Sequence, residues 1–342
     1  MDTMQAYRLH EFGQPATHDE VAVPQLGPND VLVRMGAVGL CHSDLYFLDG
    51  TPGSFPYELP FTLGHENAGW VEQTGSRVHD LEQGELVVVA GGPSCGQCIE
   101  CIAGRDNICL HRSTGRGFGQ DGGLSTYLAV ARRELVPAGD LDVVAAAPLS
   151  DAGLTSYNAV QRVLPKLGGG STAVVIGVGG LGSYAVQYLS LLSVASVIAV
   201  DQAPHRLNEV AHHCSHTLSP EEATPDHLRE LSHGRGVDVV LDFVGIDETF
   251  ATALASVRRG GALGLVGAGG GYARVGWWVL PSECELFIPN NGTLGQLHDV
   301  VGLARAGRTT IPTQSFGFAE ADDAYAALRS GNLRGRAVIT LP

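Results

Sequence analysis

A glycine-rich turn in the second half of the chain constrains the fold more than any other feature of the sequence. Gly177, Gly179, Gly180 and Gly182 directly follow the apolar segment TAVVI and open a segment with a helical pattern. In this context the first glycine permits a tight turn, the second lets the backbone approach a pyrophosphate, and the last allows close packing of helix on strand. The pattern therefore predicts a dinucleotide-binding βαβ unit rather than a glycine turn with a merely structural role.

The next apolar segment, SVIAV, ends in Asp201, about twenty residues beyond the turn. A carboxylate at this position accepts hydrogen bonds from a ribose 2′-hydroxyl and repels a 2′-phosphate. Gln202 and Ala203 follow, so no cation is adjacent in the sequence. The sequence thus favours NAD over NADP.

The segments around this turn alternate between strand and helix patterns. From Ser171 onward the apolar runs TAVVIGVG, SVIAVD, VDVVLDFVG and ALGLVGAG are separated by helical stretches, one of them from about residue 180 to residue 192. Buried apolar runs that alternate with helices are typical of a parallel, doubly wound α/β sheet.

The rest of the chain has a different pattern. Residues from about 5 to 150 carry short β-type runs separated by Gly and Pro, which predicts a β-rich domain. After about Asn290 the alternation stops, and the final GRAVITLP predicts one more strand. We expect a catalytic domain over residues 1–152, an inserted nucleotide domain over residues 153–289, and a return of residues 290–342 to the first domain. The length of 342 residues suits two domains.

Composition excludes several classes of partner and location. The formal net charge of −15 argues against a nucleic-acid or anionic membrane surface. The chain has no apolar run of about 18 residues that could span a membrane, and MDTMQAYRLHEFGQ does not resemble a signal peptide. Four of the seven cysteines lie close together, which favours metal ligation in a reducing cytoplasm over a disulfide framework.

The four-cysteine loop consists of Cys95, Cys98, Cys101 and Cys109, with the spacing C-x2-C-x2-C-x7-C. Four thiolates on so short a loop can surround a zinc ion and leave no open position, which predicts a structural zinc site. An iron–sulfur cluster and unligated cysteines are the alternatives. The low positive charge of CGQCIECIAGRDNIC disfavours a zinc-ribbon module that binds DNA.

A second group of metal-ligand types is dispersed over the segments GLCHSD and GHE. Cys41 and His65 could supply one thiolate and one imidazole, two of the three protein ligands of an open catalytic zinc site. Each residue alone has a simpler interpretation, because a lone Cys is usually a small buried hydrophobe and a lone His usually has a structural role.

Together these motifs resemble the zinc-containing medium-chain alcohol dehydrogenase family along essentially the whole chain. The matching segments are GLCHSD, GHE, the four-cysteine loop, DAGLTSYNA, GVGGLG, the strand that ends in Asp201, and GRAVI. Within the family the sequence is most similar to the bacterial NAD-dependent secondary-alcohol dehydrogenases. The resemblance implies an α/β fold with a β-rich GroES-like catalytic domain and a Rossmann domain, and a homodimer or homotetramer.

The resemblance implies a catalytic zinc held by Cys41, His65 and Asp151. Many relatives carry Cys at the third position, but a carboxylate oxygen also binds zinc. The alternative for Asp151 is an N-cap of the helix that follows. Asp44 would accept the other ring N–H of His65, and Glu66 would lie behind the ligands.

Proton transfer in the family begins at a hydroxyl that corresponds to Ser43. The proton then passes through the nicotinamide ribose to a His three positions further on, where this chain has Tyr46. A tyrosine with an ordinary pKa near 10 is a poor acceptor at neutral pH, so we expect the relay to end at the ribose and water. The alternative is that His42, which the resemblance places at the pyrophosphate, takes the missing role.

The resemblance also implies further contacts with NAD. Thr155 and residues 266–268 would contact the nicotinamide, Arg206 the adenosine ribose, Phe243 the adenine end, and Arg336 the pyrophosphate. Packing at the surface or in the core is the alternative for Thr155, Arg206 and Phe243. The full set of expected NAD contacts is His42, Thr155, Gly177, Gly179, Gly180, Leu181, Gly182, Asp201, Arg206, Phe243, Val266, Gly267, Ala268 and Arg336.

The implied activity is zinc-assisted hydride transfer between NAD and a small primary or secondary alcohol, or the corresponding aldehyde or ketone. A polyol, sugar or formaldehyde dehydrogenase of the same superfamily is the nearest alternative, and a zinc-stabilised NAD-binding protein without catalysis is another. Gly91, Asn290 and Asn291 stand where relatives carry bulky side chains, which predicts a wider and more polar substrate pocket. The cluster of His and Cys over residues 212–216 is expected in a surface turn without a metal.

Overall fold

The computed structural model describes residues 3–51, 55–112, 114–331 and 333–342. The chain divides into two compact units. The first unit consists of Met1–Leu154 and Asn291–Pro342, and the second unit of Thr155–Asn290. Residues 1 and 2 of the segment tested for a signal peptide lie outside the described residues.

The first unit is built mainly of antiparallel β-structure, as its short β-type runs predict. Its strands, numbered along the whole chain, are β1 (Thr3–Leu9), β2 (Thr17–Ala22), β3 (Asp30–Gly39), β4 (Phe61–Thr62), β5 (Glu66–Thr74), β6 (Leu86–Val89), β7 (Gly115–Arg116), β8 (Gly119–Gln120), β9 (Tyr127–Ala131), β10 (Leu135–Pro137), β17 (Thr313–Gly317) and β18 (Arg336–Thr340). Its helices are α1 (His42–Leu48), α2 (Ile99–Ile102), α3 (Val143–Ala146), α9 (Leu294–Arg305) and α10 (Ala321–Ser330).

Strand β3 is the centre of the main sheet of the first unit, in the order β10-β6-β5-β3-β18-β17. One edge of β3 pairs with β5, while the other edge is shared by β9 at residues 30–34 and β18 at residues 37–39. Nearly all of β3 is buried, and its side chains Val31, Val33, Met35 and Val38 belong to the apolar core of the first unit. The strand that the sequence predicts at GRAVI is β18.

The pairing of β3 with β5 brings two distant segments together. Gly39 at the end of β3 lies opposite Glu66 at the start of β5. Cys41 lies two residues after the end of β3, and His65 immediately precedes β5. Because antiparallel strands run in opposite directions, the end of one lies beside the beginning of the other, and these two residues become neighbours.

The second unit contains one parallel sheet in the order β13-β12-β11-β14-β15-β16. Its strands are β11 (Thr172–Ile176), β12 (Ser196–Val200), β13 (His216–Leu218), β14 (Val237–Asp242), β15 (Val257–Leu265) and β16 (Glu285–Phe287). The remaining helices are α4 (Ala152–Val163), α5 (Gly182–Leu192), α6 (Pro204–Val210), α7 (Pro225–Leu231) and α8 (Asp247–Ser256). The predicted doubly wound sheet is confirmed.

Strand β11 lies at the point where the strand order reverses, because β12 pairs with one of its edges and β14 with the other. Ligands of such sheets bind beyond the carboxyl ends of the strands at this switch point. Helix α5 begins at Gly182 rather than near residue 180, since residues 177–181 form the turn after β11.

Short 3₁₀ helices complete the secondary structure, at Asp106–Ile108, Arg132–Glu134, Ala147–Ser150, Leu164–Lys166, Ala211–His213 and Phe318–Glu320. Across the described ranges, every helix falls short of the length and apolarity required to cross a bilayer.

Candidate metal and nucleotide sites

Three residues of the first unit converge on one point. Cys41, His65 and Asp151 each offer a ligand atom, and these atoms lie within 4.8 Å of one another. His65 is buried, whereas Cys41 and Asp151 are half-buried, so the group is reachable from one side. A thiolate, an imidazole nitrogen and a carboxylate oxygen form a donor set suited to zinc with one position left open. These residues could hold a metal ion.

Asp44, in the first turn of α1, fixes two of the three candidate ligands. Its Oδ1 lies 2.9 Å from Nδ1 of His65, and its Oδ2 accepts the backbone N–H of Cys41 at 3.1 Å. When Nδ1–H donates to Asp44, Nε2 of His65 keeps its lone pair for a metal. Burial alone would lower the pKa of His65, but the Asp44 charge and hydrogen bonds with Asp151, Asp44 and Cys41 raise it well above its ordinary value. The site therefore attracts positive charge.

Behind these ligands lies a buried ion pair that the sequence did not predict. Arg336 on β18 donates from Nε and Nη2 to the two carboxylate oxygens of Glu66, at 2.9 and 2.5 Å. Burial raises the pKa of Glu66 to about 7 although Arg336 lowers it. Glu66 also accepts the backbone N–H of Ala152 at 2.9 Å, and so caps the start of α4, the role left open for Asp151. The contact of Arg336 with a pyrophosphate stays a prediction.

Two further side chains border the metal group. The ring of Phe118 lies 4.6 Å from that of His65, which gives the site an apolar wall. The side-chain amide of Asn291 donates to Oδ1 of Asp151 at 3.2 Å. The local sequence marks Asn291 only as a pocket residue, because nothing in it links Asn291 to Asp151.

The four cysteines of the loop lie close together and form a second candidate metal site. All four sulfur atoms lie within 4.8 Å of one another, with 3.9 Å from Cys95 to Cys101 and from Cys98 to Cys109. Backbone N–H groups point at the sulfurs: that of Cys98 donates to Cys95 at 3.3 Å, and that of Cys95 to Cys109 at 3.4 Å. Backbone N–H groups, that of Cys101 foremost, lower the pKa of Cys98 to about 6. Backbone N–H groups also lower the pKa of Cys109, whereas burial raises the pKa of Cys101 to about 12, so the loop without an ion favours the thiolate at Cys98 and Cys109 but not at Cys101.

The glycines of the turn after β11 have three different surroundings. Gly177 has a φ of +82°, and a Cβ there would lie 2.6 Å from Val244. A Cβ on Gly182 would lie 1.8 Å from the carbonyl oxygen of Gly177, so the helix packs too closely for any side chain. Gly179, by contrast, faces open space, with Arg206 as its nearest neighbour at 3.9 Å. An open backbone at this position is what a pyrophosphate requires.

The carboxylate of Asp201, directly after β12, accepts two backbone N–H groups and lies close to a cationic side chain. Its Oδ2 accepts the backbone N–H of Val178 at 2.9 Å, and its Oδ1 that of Ala203 at 2.8 Å. Nη1 of Arg206 on α6 lies 3.9 Å from Oδ2 of Asp201. The fold therefore brings a cation to Asp201 that is not its neighbour in the sequence.

Asp242, at the end of β14, organises the loops expected at the nicotinamide. Its Oδ1 accepts backbone N–H groups from Val244 and Gly245 at 2.9 and 3.0 Å. Its carbonyl oxygen accepts those of Val266 and Gly267 at 2.8 and 2.9 Å. Asp242 is absent from the predicted site residues, although an acidic residue that ends an apolar strand is a signal present in the sequence.

The other expected NAD contacts lie at varied positions. Phe243 and Ala268 follow β14 and β15 in the second unit, Leu181 precedes α5, and Thr155 is a buried residue of α4. In the first unit, His42 and Ser43 begin α1, where His42 is exposed and Ser43 half-buried. Their contacts with the cofactor stay predictions.

Comparison with known proteins agrees with this architecture. A family model described as an alcohol dehydrogenase GroES-like domain matches residues 27–140, and one described as a zinc-binding dehydrogenase matches residues 180–289. The D-arabinose 1-dehydrogenase (NADP(+)) of Saccharolobus solfataricus is 30% identical over 97% of this chain and 96% of its own. An NAD-dependent alcohol dehydrogenase of the same organism is 31% identical over 98% and 99%.

A solved structure is similar over nearly the full length. The crystal structure of the alcohol dehydrogenase from Aeropyrum pernix superposes with a TM-score of 0.92 at 33% sequence identity, and the match covers 98% of this chain and 99% of that one. The similarity thus extends to both units of the fold.

Proposed function

Because this chain belongs to the zinc-containing medium-chain alcohol dehydrogenase family, we propose that it transfers a hydride between NAD and a small primary or secondary alcohol, or the matching aldehyde or ketone. Membership makes it an oxidoreductase that acts on alcohols with a nicotinamide cofactor. The observation that carries the proposal is the convergence of Cys41, His65 and Asp151, with Nε2 of His65 turned towards the carboxylate.

We assign two zinc ions to each chain. Cys41, His65 and Asp151 hold the first, and the four-cysteine loop holds the second. The donor sets support this assignment, since three mixed ligands leave a position open for substrate while four thiolates do not. A zinc ion held at the first site would supply Lewis-acid polarisation of the substrate oxygen, and bound NAD would supply the acceptor or donor of the hydride.

The chain's own residues orient the reacting groups. Asp44 keeps Nε2 of His65 available and fixes the backbone at Cys41. The ion pair of Glu66 and Arg336 supports the site from behind, and the ring of Phe118 excludes water from one side of His65. In alcohol oxidation Ser43 accepts the substrate's hydroxyl proton while its own hydroxyl proton leaves towards the nicotinamide ribose and water.

Replacing Ser43 by alanine is expected to lower kcat for alcohol oxidation by about 10²–10⁴-fold at neutral pH. Tyr46→Phe is expected to change it little, because burial and the charge of Cys41 raise the pKa of this half-exposed tyrosine further. Tyr46→His should increase oxidation near neutral pH, since imidazole accepts a proton there. Steady-state kinetics measure all three, with zinc content and NAD affinity as controls. A hundredfold loss in Tyr46→Phe would assign the proton transfer to the tyrosine.

We propose NAD as the cofactor because the Asp201 carboxylate stands at the end of β12. Asp201→Ala is expected to lower kcat/KM for NAD by roughly 10–100-fold, since hydrogen bonds to a charged group are lost. Activity with NADP should rise, because Arg206, 3.9 Å from Asp201, becomes available to a 2′-phosphate. Adding Arg206→Ala should remove that gain. A wild-type enzyme that prefers NADP would contradict the assignment.

A sugar or polyol substrate is the second candidate. It is favoured by the 30% identity to a D-arabinose 1-dehydrogenase over 97% of this chain. A panel of primary, secondary, benzylic, polyol and sugar substrates with NAD distinguishes the candidates. Rates confined to simple alcohols support the first proposal, rates confined to polyols or sugars support the second, and no turnover by a protein with two bound zincs contradicts both.

We propose a homodimer or homotetramer, located in the cytoplasm. The second unit exposes large apolar side chains in the segment before its edge strand β16 and directly after it: Tyr272, Trp277, Trp278 and Ile288. Exposed apolar patches beside an open sheet edge are typical of interfaces. Light scattering gives the mass of the assembly. The location rests on the proposed zinc ligation, since cysteines that bind a metal rather than form disulfides are typical of a reducing compartment.

A further inference from the structure

We propose that Asn291 is a positioning residue of the metal centre, which holds Asp151 so that a single carboxylate oxygen is offered to the ion. The inference rests on the proposed function, because it concerns the same site. It assigns a role to a residue that is 140 positions away from Asp151 in the chain.

The side chain of Asn291 is bound at both ends. Its Nδ2 donates to Oδ1 of Asp151 at 3.2 Å and to the carbonyl oxygen of Ser150 at 3.3 Å, and its Oδ1 accepts the backbone N–H of Gly292 at 2.8 Å. Because a backbone N–H requires an acceptor, the amide oxygen must face Gly292 and the NH₂ group must face Asp151. The orientation of the amide is therefore determined.

Because of this contact, the two oxygens of the Asp151 carboxylate have different partners. Oδ1 is taken by Asn291, whereas Oδ2 lies 3.6 Å from Nε2 of His65 and 3.7 Å from Nη2 of Arg336. A carboxylate with one oxygen bound by an amide offers the other to a metal. A ligand that binds through one oxygen leaves the open position that a substrate oxygen needs.

The backbone at Asn291 supports a specific role. Its φ is +46°, a left-handed conformation that Asn tolerates better than most residues with a side chain. Gly91 faces the amide, and a Cβ there would lie 3.2 Å from Nδ2 of Asn291 and 3.7 Å from the carbonyl oxygen of Ser150. The absence of a side chain at Gly91 thus leaves the amide room to reach Asp151.

The competing explanation is that Asn291 only forms the turn that precedes α9. Replacement by glycine separates the two explanations, because glycine accepts the positive φ but removes the amide. Asn29→Gly is the matched control, since Asn29 is an exposed turn residue before β3. Replacement by alanine removes the amide and also strains the backbone.

The test measures the zinc affinity of the Cys41 site by competition with a chelator, with zinc retained in the four-cysteine loop. Loss of a residue that orients a metal ligand typically weakens binding 10–100-fold. We expect a loss in this range for Asn291→Gly and Asn291→Ala, and none for Asn29→Gly. Cobalt(II) bound at the same site gives a second measurement. In both Asn291 variants the second oxygen of Asp151 is no longer held by the amide and should also bind the cobalt. The higher coordination number should weaken the absorption of visible light.

Gly91→Ala adds an independent check, because its Cβ pushes against Nδ2 of Asn291. It should weaken zinc binding in the wild type and have no further effect in Asn291→Gly. An Asn291→Gly variant with wild-type affinity and cobalt spectrum, while Asn291→Ala is impaired, overturns the inference in favour of the turn. A wild-type protein with one zinc overturns the proposed function itself.

Discussion

Cys41→Ser is expected to lower kcat/KM for an alcohol by at least about a thousandfold while the protein stays folded. Polarisation by a bound metal contributes several kcal/mol to the stabilisation of charge, and each 1.36 kcal/mol corresponds to a factor of ten in rate. Serine has nearly the size of cysteine but is a poor zinc ligand at neutral pH. The backbone N–H of Cys41 keeps its bond to Asp44, so α1 should still form.

Zinc content and circular dichroism accompany the kinetics of this variant. We expect zinc to fall from two ions to one per chain, with an unchanged spectrum. Cys284→Ser is the matched control, because Cys284 is a half-buried thiol of the second unit that belongs to neither metal group. Full activity in Cys41→Ser with a single zinc would remove Cys41 from the catalytic site.

Cys98→Ser is expected to reduce the free energy of unfolding by roughly 4 kcal/mol or more, since the loss of a metal is among the largest effects of single substitutions. Three thiolates bind zinc far less tightly than four, and the loop has little apolar core of its own. Ile99, Ile102, Ile108 and Leu110 are exposed. The melting temperature should fall by roughly 10 °C.

Thermal unfolding with and without added zinc measures this effect. Cys214→Ser is the control, because Cys214 belongs to neither metal group and burial raises the pKa of its thiol to about 12. The wild type treated with a strong chelator should approach the melting temperature of Cys98→Ser. Equal melting temperatures of wild type and Cys98→Ser would mean that the four-cysteine loop holds no stabilising ion.

Features encoded within a short stretch of sequence were predictable. The turn after β11 could be located because Gly177 and Gly182 each satisfy a local steric requirement, one for a positive φ and one for close packing. The four-cysteine loop could be recognised for the same reason, since all four ligands lie within one segment. The fold class followed from apolar runs whose burial the structure shows.

Contacts between distant segments were not predictable from the sequence. Arg336 and Glu66 are 270 positions apart, and Asn291 and Asp151 are 140 apart. No local pattern encodes either pair, because the partners meet only when the strands and loops of the first unit are assembled. The resemblance placed Arg336 at a pyrophosphate, but a family pattern does not specify which carboxylate binds its guanidinium in this chain.

The discontinuous first unit has a consequence for the order of events during translation. The four-cysteine loop is synthesised early, whereas Asn291 and Arg336 lie in the last segment, Asn291–Pro342. At about 5–20 residues per second the ribosome adds such a segment in roughly 3–10 s. Until then β3 lacks its neighbour β18, and the carboxylate of Glu66 lacks its ion pair with Arg336. The nascent chain can thus load its structural zinc first, and the catalytic centre is completed only after the last strand has joined the sheet.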